Sequence, residues 1–242
     1  MRNWLLPAAA VTMLVATPVI AANAPALAAL LASPARPEAD KARDADRKPA
    51  EVMAFAGIRP GQKIAELAPG GGYYTRLLSA AVGPKGYVYT FASRPSPAVA
   101  EIAKASGNVS VGVGKAGDAL APEPVDVVWT TQNYHDFKNM KVGEGDGAAA
   151  YNKAAFAALK PGGVYLINDH QAAKGAGATV TSTLHRIEDA VVIQEVEAAG
   201  FKLEGRSEIL RHPADDHTGK VFDSGVRGKT DQFLLRFRKP RK

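Results

Sequence analysis

The chain of 242 residues contains no cysteine. That absence excludes thiolate nucleophiles, iron–sulfur clusters and every cysteine-based zinc site, and it leaves the redox compartment open. No internal repeat is visible. The excess of one sign of charge is small: 30 Lys and Arg stand against 24 Asp and Glu. Much of the cationic surplus sits at the end, in Arg236, Arg238, Lys239, Arg241 and Lys242, with Phe237 alone among them as an aromatic. Binding a polyanion needs cations spread over one face with stacking rings, so no nucleic-acid partner is expected. With 46% hydrophobic and 22% charged residues the chain is neither disordered, collagen-like nor a coiled coil, and is long enough to bury a sizeable core.

The first apolar stretch reads as a targeting segment. Met1-Arg2-Asn3 gives a short basic start, Trp4 to Ile20 is uncharged and mostly aliphatic, and small residues follow at Val19-Ile20-Ala21 and Ala26-Leu27-Ala28. This is the layout of a signal peptide cleaved between Ala21 and Ala28, best at Ala21 or Ala22, and it predicts a periplasmic or secreted protein. Pro7 and Pro18 interrupt the run, which falls short of the roughly 20 apolar residues a spanning helix needs, so no membrane span is expected after cleavage. The predicted organisation is a signal peptide over 1–22, a leader and charged helix over 23–50, and one domain over 51–242. The mixed charges from Pro37 to Val52 suggest a solvated helix.

Beyond residue 50 the chain alternates strand and helix. Lys63–Leu67, Gly86–Phe91, Val109–Val113, Val125–Thr130, Val164–Ile167, Phe201–Leu210 and Gln232–Phe237 read as seven strands. Tyr73–Val82, Ser96–Ala105, Ala148–Leu159 and Ile187–Ala199 read as helices, and Pro161-Gly162-Gly163 as a tight turn. Crossovers of that length predict an α/β fold: a doubly wound, mainly parallel seven-stranded sheet with helices on both faces. Ligands in such sheets bind beyond the carboxyl ends of the strands, where strand order reverses.

After the first strand come Glu66-Leu67-Ala68-Pro69-Gly70-Gly71-Gly72. Three glycines in a row let a ligand lie against bare main chain at a helix N-terminus. A nicotinamide dinucleotide would call for Gly-x-Gly-x-x-Gly without an acid two residues earlier, and the spacing here differs. Glu66-x-Ala68-x-Gly70-x-Gly72 resembles the acidic glycine loop of class I S-adenosylmethionine-dependent methyltransferases, with alanine in place of the first glycine. The resemblance extends to Gly117-Asp118-Ala119, Asp126-Val127-Val128, Leu159-Lys160-Pro161-Gly162-Gly163 and Ala198-Ala199-Gly200-Phe201. Pro69 to Thr75 together with Asn133-Tyr134-His135-Asp136 resembles an exported bacterial branch of that family.

The resemblance implies a Rossmann-like methyltransferase fold with an antiparallel last strand, S-adenosylmethionine as cofactor and a small-molecule methyl acceptor. It implies that Ala68, Gly70, Gly71 and Gly72 line the cofactor, with Glu66 touching its amino-acid end directly or through water, and that Asp118 receives the adenine amino group. The acid that such proteins place after strand two, to grip the ribose diol, is replaced by Ala92, with Ser93 as a weaker substitute. His135 and Asp136, after strand four, are the expected catalytic pair, since imidazole has a suitable pKa for taking a proton from a hydroxyl or ammonium acceptor. His135, His170 and His185 could meet at a metal, but their spacing lacks the short ligand pairs of a dedicated site and no metal is expected. The alternative to an enzyme is an inactive methyltransferase-fold protein that holds a small ligand or partner outside the cytoplasm.

Overall fold

Short runs of valine, isoleucine and leucine cannot bury two apolar faces alone, and here they do so as inner strands covered on both sides. The computed structural model describes residues 26–241. The expected signal peptide, 1–22, lies outside the described residues. A helix α1, described over 26–31, leads to α2 (Glu38–Lys41), α3 (Asp44–Arg47) and α4 (Pro49–Ala56). Then follow β1 (Lys63–Leu67), α5 (Tyr73–Val82), β2 (Tyr87–Ala92), α6 (Pro97–Ser106), β3 (Val109–Val113) and β4 (Val125–Thr131). The second half holds α7 (Tyr134–Lys138), a small hairpin of β5 (Lys141–Val142) and β6 (Gly145–Asp146), α8 (Gly147–Ala158), β7 (Leu159–His170), α9 (Asp189–Ala198), β8 (Lys202–Ser207) and β9 (Gln232–Arg238).

The seven-stranded sheet has the order β3-β2-β1-β4-β7-β9-β8. β1, β2, β3, β4 and β7 are parallel, and β9 runs antiparallel to both β7 and β8. The expected sheet and its antiparallel last strand are therefore both present. The chain winds outward from β1 through β2 to β3, then returns to β4 and winds the other way. The order thus reverses between β1 and β4, which opens a crevice at their carboxyl ends. Two cores flank the sheet: Val127 and Trp129 of β4 belong to the one beneath α4, α5 and α6, whereas Val125 and Val128 belong to the one beneath α8 and α9.

Three local expectations are corrected. The charged stretch 37–52 is three short helices, broken at Lys48 in a left-handed conformation (φ 41°) with Pro49 opening α4. One face of it is docked, because Asp40, Asp44, Arg47 and Lys48 find partners across the fold, whereas Glu38, Arg43, Asp46 and Glu51 stay exposed. Arg36 grips Asp44 at 2.6 Å, Asp40 receives Arg76 of α5 at 2.7 Å, and the Tyr73 hydroxyl donates to Asp44 at 2.6 Å. Pro161-Gly162-Gly163 does not separate helix from strand: β7 already begins at Leu159, with a register shift against β4, because Gly162 and Gly163 exchange backbone bonds with Lys239 after β9. The last helix starts two residues later than expected: Ile187 belongs to the 171–188 connection, and α9 begins at Asp189.

Candidate functional site

β1 delivers Glu66 and then turns over the crevice. Ala68 (φ 51°), Gly70 (φ 57°) and Gly72 (φ 81°) take left-handed conformations, so Ala68 adopts the backbone its glycine counterpart would adopt freely. A side chain on Gly70 or Gly71 would meet nothing within 4 Å, whereas one on Gly72 would lie 2.2 Å from Cδ1 of Ile102. Gly72 thus serves helix packing, and Gly70 with Gly71 leaves bare main chain facing open space. The Ser96 hydroxyl fixes the loop by donating to the Gly70 carbonyl at 2.8 Å, and the Asn133 amide does so by donating to the Ala68 carbonyl at 3.1 Å. Beneath the loop Glu66 is buried, receiving the Thr75 hydroxyl at 2.6 Å. Burial pushes its carboxyl up to about 7, against the opposing pull of the Thr75 hydroxyl and the Arg76 charge.

The neighbouring strand ends are sparser. β2 stops at Ala92, with Ser93 exposed behind it. Asp118, beyond β3, is exposed and accepts the backbone N–H of Lys115 at 2.7 Å, closing its own turn.

On the other side of the crevice, β4 and β7 bring together residues distant in sequence. Asp169, fully enclosed at the end of β7, accepts the His135 backbone N–H at 2.8 Å and the His170 backbone N–H at 2.7 Å, and its Oδ1 lies 2.8 Å from His135 Nδ1. Burial alone would raise the Asp169 carboxyl, but His135 holds it below the usual range; the same contact raises the His135 imidazole although burial opposes it. His135 Nε2 is buried without a hydrogen-bond partner, 3.4 Å from Oδ1 of Asp136, whose side chain is half exposed. His185 Nδ1, also buried without a hydrogen bond, reaches the same oxygen at 3.3 Å. His170 turns away, its Nδ1 at 2.7 Å from the Thr230 hydroxyl, and burial lowers its pKa to about 4.

His170 borders a cavity of about 420 Å³ also lined by Arg43, Arg47, Arg227, Asp46 and Phe222. Arg47 stacks over Tyr73, 4.7 Å from the ring centre, and donates to Gln132 at 2.6 Å. Burial and the neighbouring Arg43 lower its pKa. Among the described residues none of these three arginines forms a salt bridge.

The structure therefore brings Glu66, Ala68, Gly70, Gly71 and Gly72 to one face of the crevice and His135 with Asp136 to the other. It leaves Ser93 and Asp118 on the outer rim. Reading the sequence missed Asp169 as the anchor of His135, His185 as a neighbour of Asp136, and Arg47. Nothing local marks them, since their partners lie 34, 49 and 85 residues away.

No protein-family model and no curated protein sequence matches the chain. Solved structures share its fold. A SAM-dependent methyltransferase from Aquifex aeolicus is 19% identical, with a TM-score of 0.57 over 79% of this chain and 89% of that one. The 1,6-didemethyltoxoflavin-N1-methyltransferase of Burkholderia thailandensis, with 1,6-didemethyltoxoflavin and S-adenosylhomocysteine bound, is 16% identical, with a TM-score of 0.57 over 81% and 79%. The cyclase SpnF is 17% identical, with a TM-score of 0.59 over 81% of each chain. At these identities the likeness establishes a Rossmann-like methyltransferase fold.

Proposed function

We propose that the chain is an exported S-adenosylmethionine-dependent methyltransferase acting on a small anionic acceptor. The observation that carries this reading is the bare main chain at Gly70 and Gly71, open above buried Glu66 at the reversal point of the sheet. These residues suit the amino-acid end of the cofactor: glycine backbone admits close approach, and a carboxyl poised near neutrality can meet an ammonium group. The ribose end is less well served, because Ala92 offers no acceptor. When bound, the cofactor supplies an electrophilic methyl group on a sulfonium sulfur.

The chain's own part is alignment and activation. Arg47, stacked on Tyr73 and lacking a carboxylate partner among the described residues, is placed to hold an acceptor's anionic group in the cavity. His135 and Asp136 form the group that activates the acceptor's nucleophile. Since His135 Nε2 is buried, half-exposed Asp136 is the member of the pair that meets the acceptor. Export follows from the signal-peptide pattern of residues 1–22; N-terminal sequencing of the secreted or periplasmic product should begin between Ala22 and Ala29.

Calorimetric titration of the mature chain with S-adenosylhomocysteine tests the cofactor assignment. Saturating binding with one site per chain supports it. No heat and no thermal stabilisation at millimolar ligand favours the second reading, a methyltransferase-fold protein without methyl transfer, for which the missing acid at Ala92 speaks. Ligand at 100 times its dissociation constant should add about 2.7 kcal/mol of stability.

A further inference from the structure

Two buried imidazole nitrogens without hydrogen bonds, His135 Nε2 and His185 Nδ1, converge on one carboxylate oxygen, Asp136 Oδ1, at 3.4 and 3.3 Å. One donor atom from each of the three side chains lies within 4.8 Å of the others. A direct hydrogen bond would draw these atoms to about 2.7–3.0 Å. By contrast, ligands about 2.1 Å from a shared tetrahedral ion stand about 3.4 Å apart, from the bond lengths and angles of zinc sites. We propose that His135, Asp136 and His185 bind one divalent first-row transition ion, with zinc the best match to two imidazoles and a carboxylate.

The surroundings are those of a metal ligand set. Asp169 holds His135 through Nδ1, which fixes that nitrogen as the protonated one and turns the lone pair of Nε2 toward Asp136. The same carboxylate takes the backbone N–H of His135 and of His170, so the ring cannot swing. His185 is fixed from both sides. Its backbone is left-handed (φ 56°), Arg186 next to it is wholly buried, and the Phe222 ring packs 4.7 Å from its imidazole centre. Three protein ligands leave at least one position for water or for an acceptor oxygen, whose proton the ion would make easier to lose. The expectation of no metal rested on spacing along the chain. The tertiary fold replaces His170 with Asp136 and supplies His185 from a separate connection.

Metal binding is independent of the methyltransferase reading; only the role of the ion in activating an acceptor rests on it. The test is titration of the chelator-treated full mature chain with Zn²⁺ by calorimetry and with Co²⁺ by visible absorption. One ion per chain is expected, with cobalt bands of a tetrahedral or five-coordinate site. His185→Ala and Asp136→Ala should each weaken uptake by more than about 100-fold, and Asp169→Asn by about 10–100-fold with an altered cobalt spectrum, the usual cost of losing an outer-shell partner. His212→Ala, on an exposed loop, should leave uptake unchanged. Circular dichroism of the metal-free variants checks folding, and the half-exposed Asp136 gives a second test should His185→Ala fold poorly. Failure to take up either ion overturns the proposal, as does uptake that Asp136→Ala leaves intact. Neither result touches the binding of S-adenosylhomocysteine, so the two readings fail separately.

Discussion

Arg186, with no exposed surface, grips Asp215 through two contacts of 2.7 and 3.0 Å. Two further N–H groups reach the carbonyls of Gln171 at 3.1 Å and Gly219 at 3.0 Å. One side chain therefore ties the connection that carries His185 to the long link between β8 and β9.

Breaking that pair should be costly. Asp215→Asn leaves a buried guanidinium uncompensated, and a loss of about 3–5 kcal/mol is expected, read as a lower urea midpoint. Burial raises the Asp215 carboxyl, but the Arg186 hydrogen bonds outweigh it and the net shift is downward. The pair's stabilisation is thus complete above the unfolded carboxyl pKa of about 3.9 and disappears as pH falls through the lower folded value. A midpoint unchanged in Asp215→Asn would show that the link is not held this way.

Gly71 and Gly72 should part company. Gly71→Asp meets open space, so stability should stay within about 0.5 kcal/mol while S-adenosylhomocysteine binding is lost. Gly72→Ala combines a left-handed backbone with a contact on Ile102 and should cost about 1–2 kcal/mol. Thermal unfolding and calorimetry of both variants separate the two roles. Full affinity in Gly71→Asp would remove the loop from the binding site.

Glu66 predicts an opposite pH trend. Its carboxyl is near 7 in the fold against about 4.3 unfolded, so the folded chain holds an extra proton between those values. Its contribution favours the fold below the unfolded value, declines as pH rises to about 7 and is level above. Because the ionised form suits a cationic ligand group, affinity for S-adenosylhomocysteine should climb from about pH 6 to pH 8. Glu66→Gln should flatten both trends; a slope that persists in this variant must come from another group.

Ala92 invites a gain of affinity. Ala92→Asp restores a carboxylate at the end of β2, and a charge-assisted bond of about 1.5–3 kcal/mol corresponds to roughly 10- to 150-fold tighter binding of S-adenosylhomocysteine. Calorimetry on the variant gives the answer directly. Equal or weaker affinity would mean that the ribose lies elsewhere.

Much of the architecture was legible in the order of residues. β1 and β3 fall at Lys63–Leu67 and Val109–Val113 as their apolar runs indicate, and α5 runs Tyr73–Val82 up to Gly83. Local chemistry sets these elements, because a run of β-branched residues or a glycine stop acts on its own neighbourhood. The docking of 37–52 is not legible in the sequence for the converse reason: a charged residue looks solvated until its partner is known, and the partner of Asp40 is Arg76 of α5.

The sequence by itself determined the alternation of strand and helix, the bare loop after β1 and the absence of an acid at Ala92, since each depends only on adjacent residues. Tertiary structure alone decided that Asp169 anchors His135, that His185 faces Asp136 and that Arg47 borders the cavity. Those pairings join strand ends and connections far apart in the chain, and at Asp169 and His135 burial removes water as the competing partner and makes the polar contact obligatory.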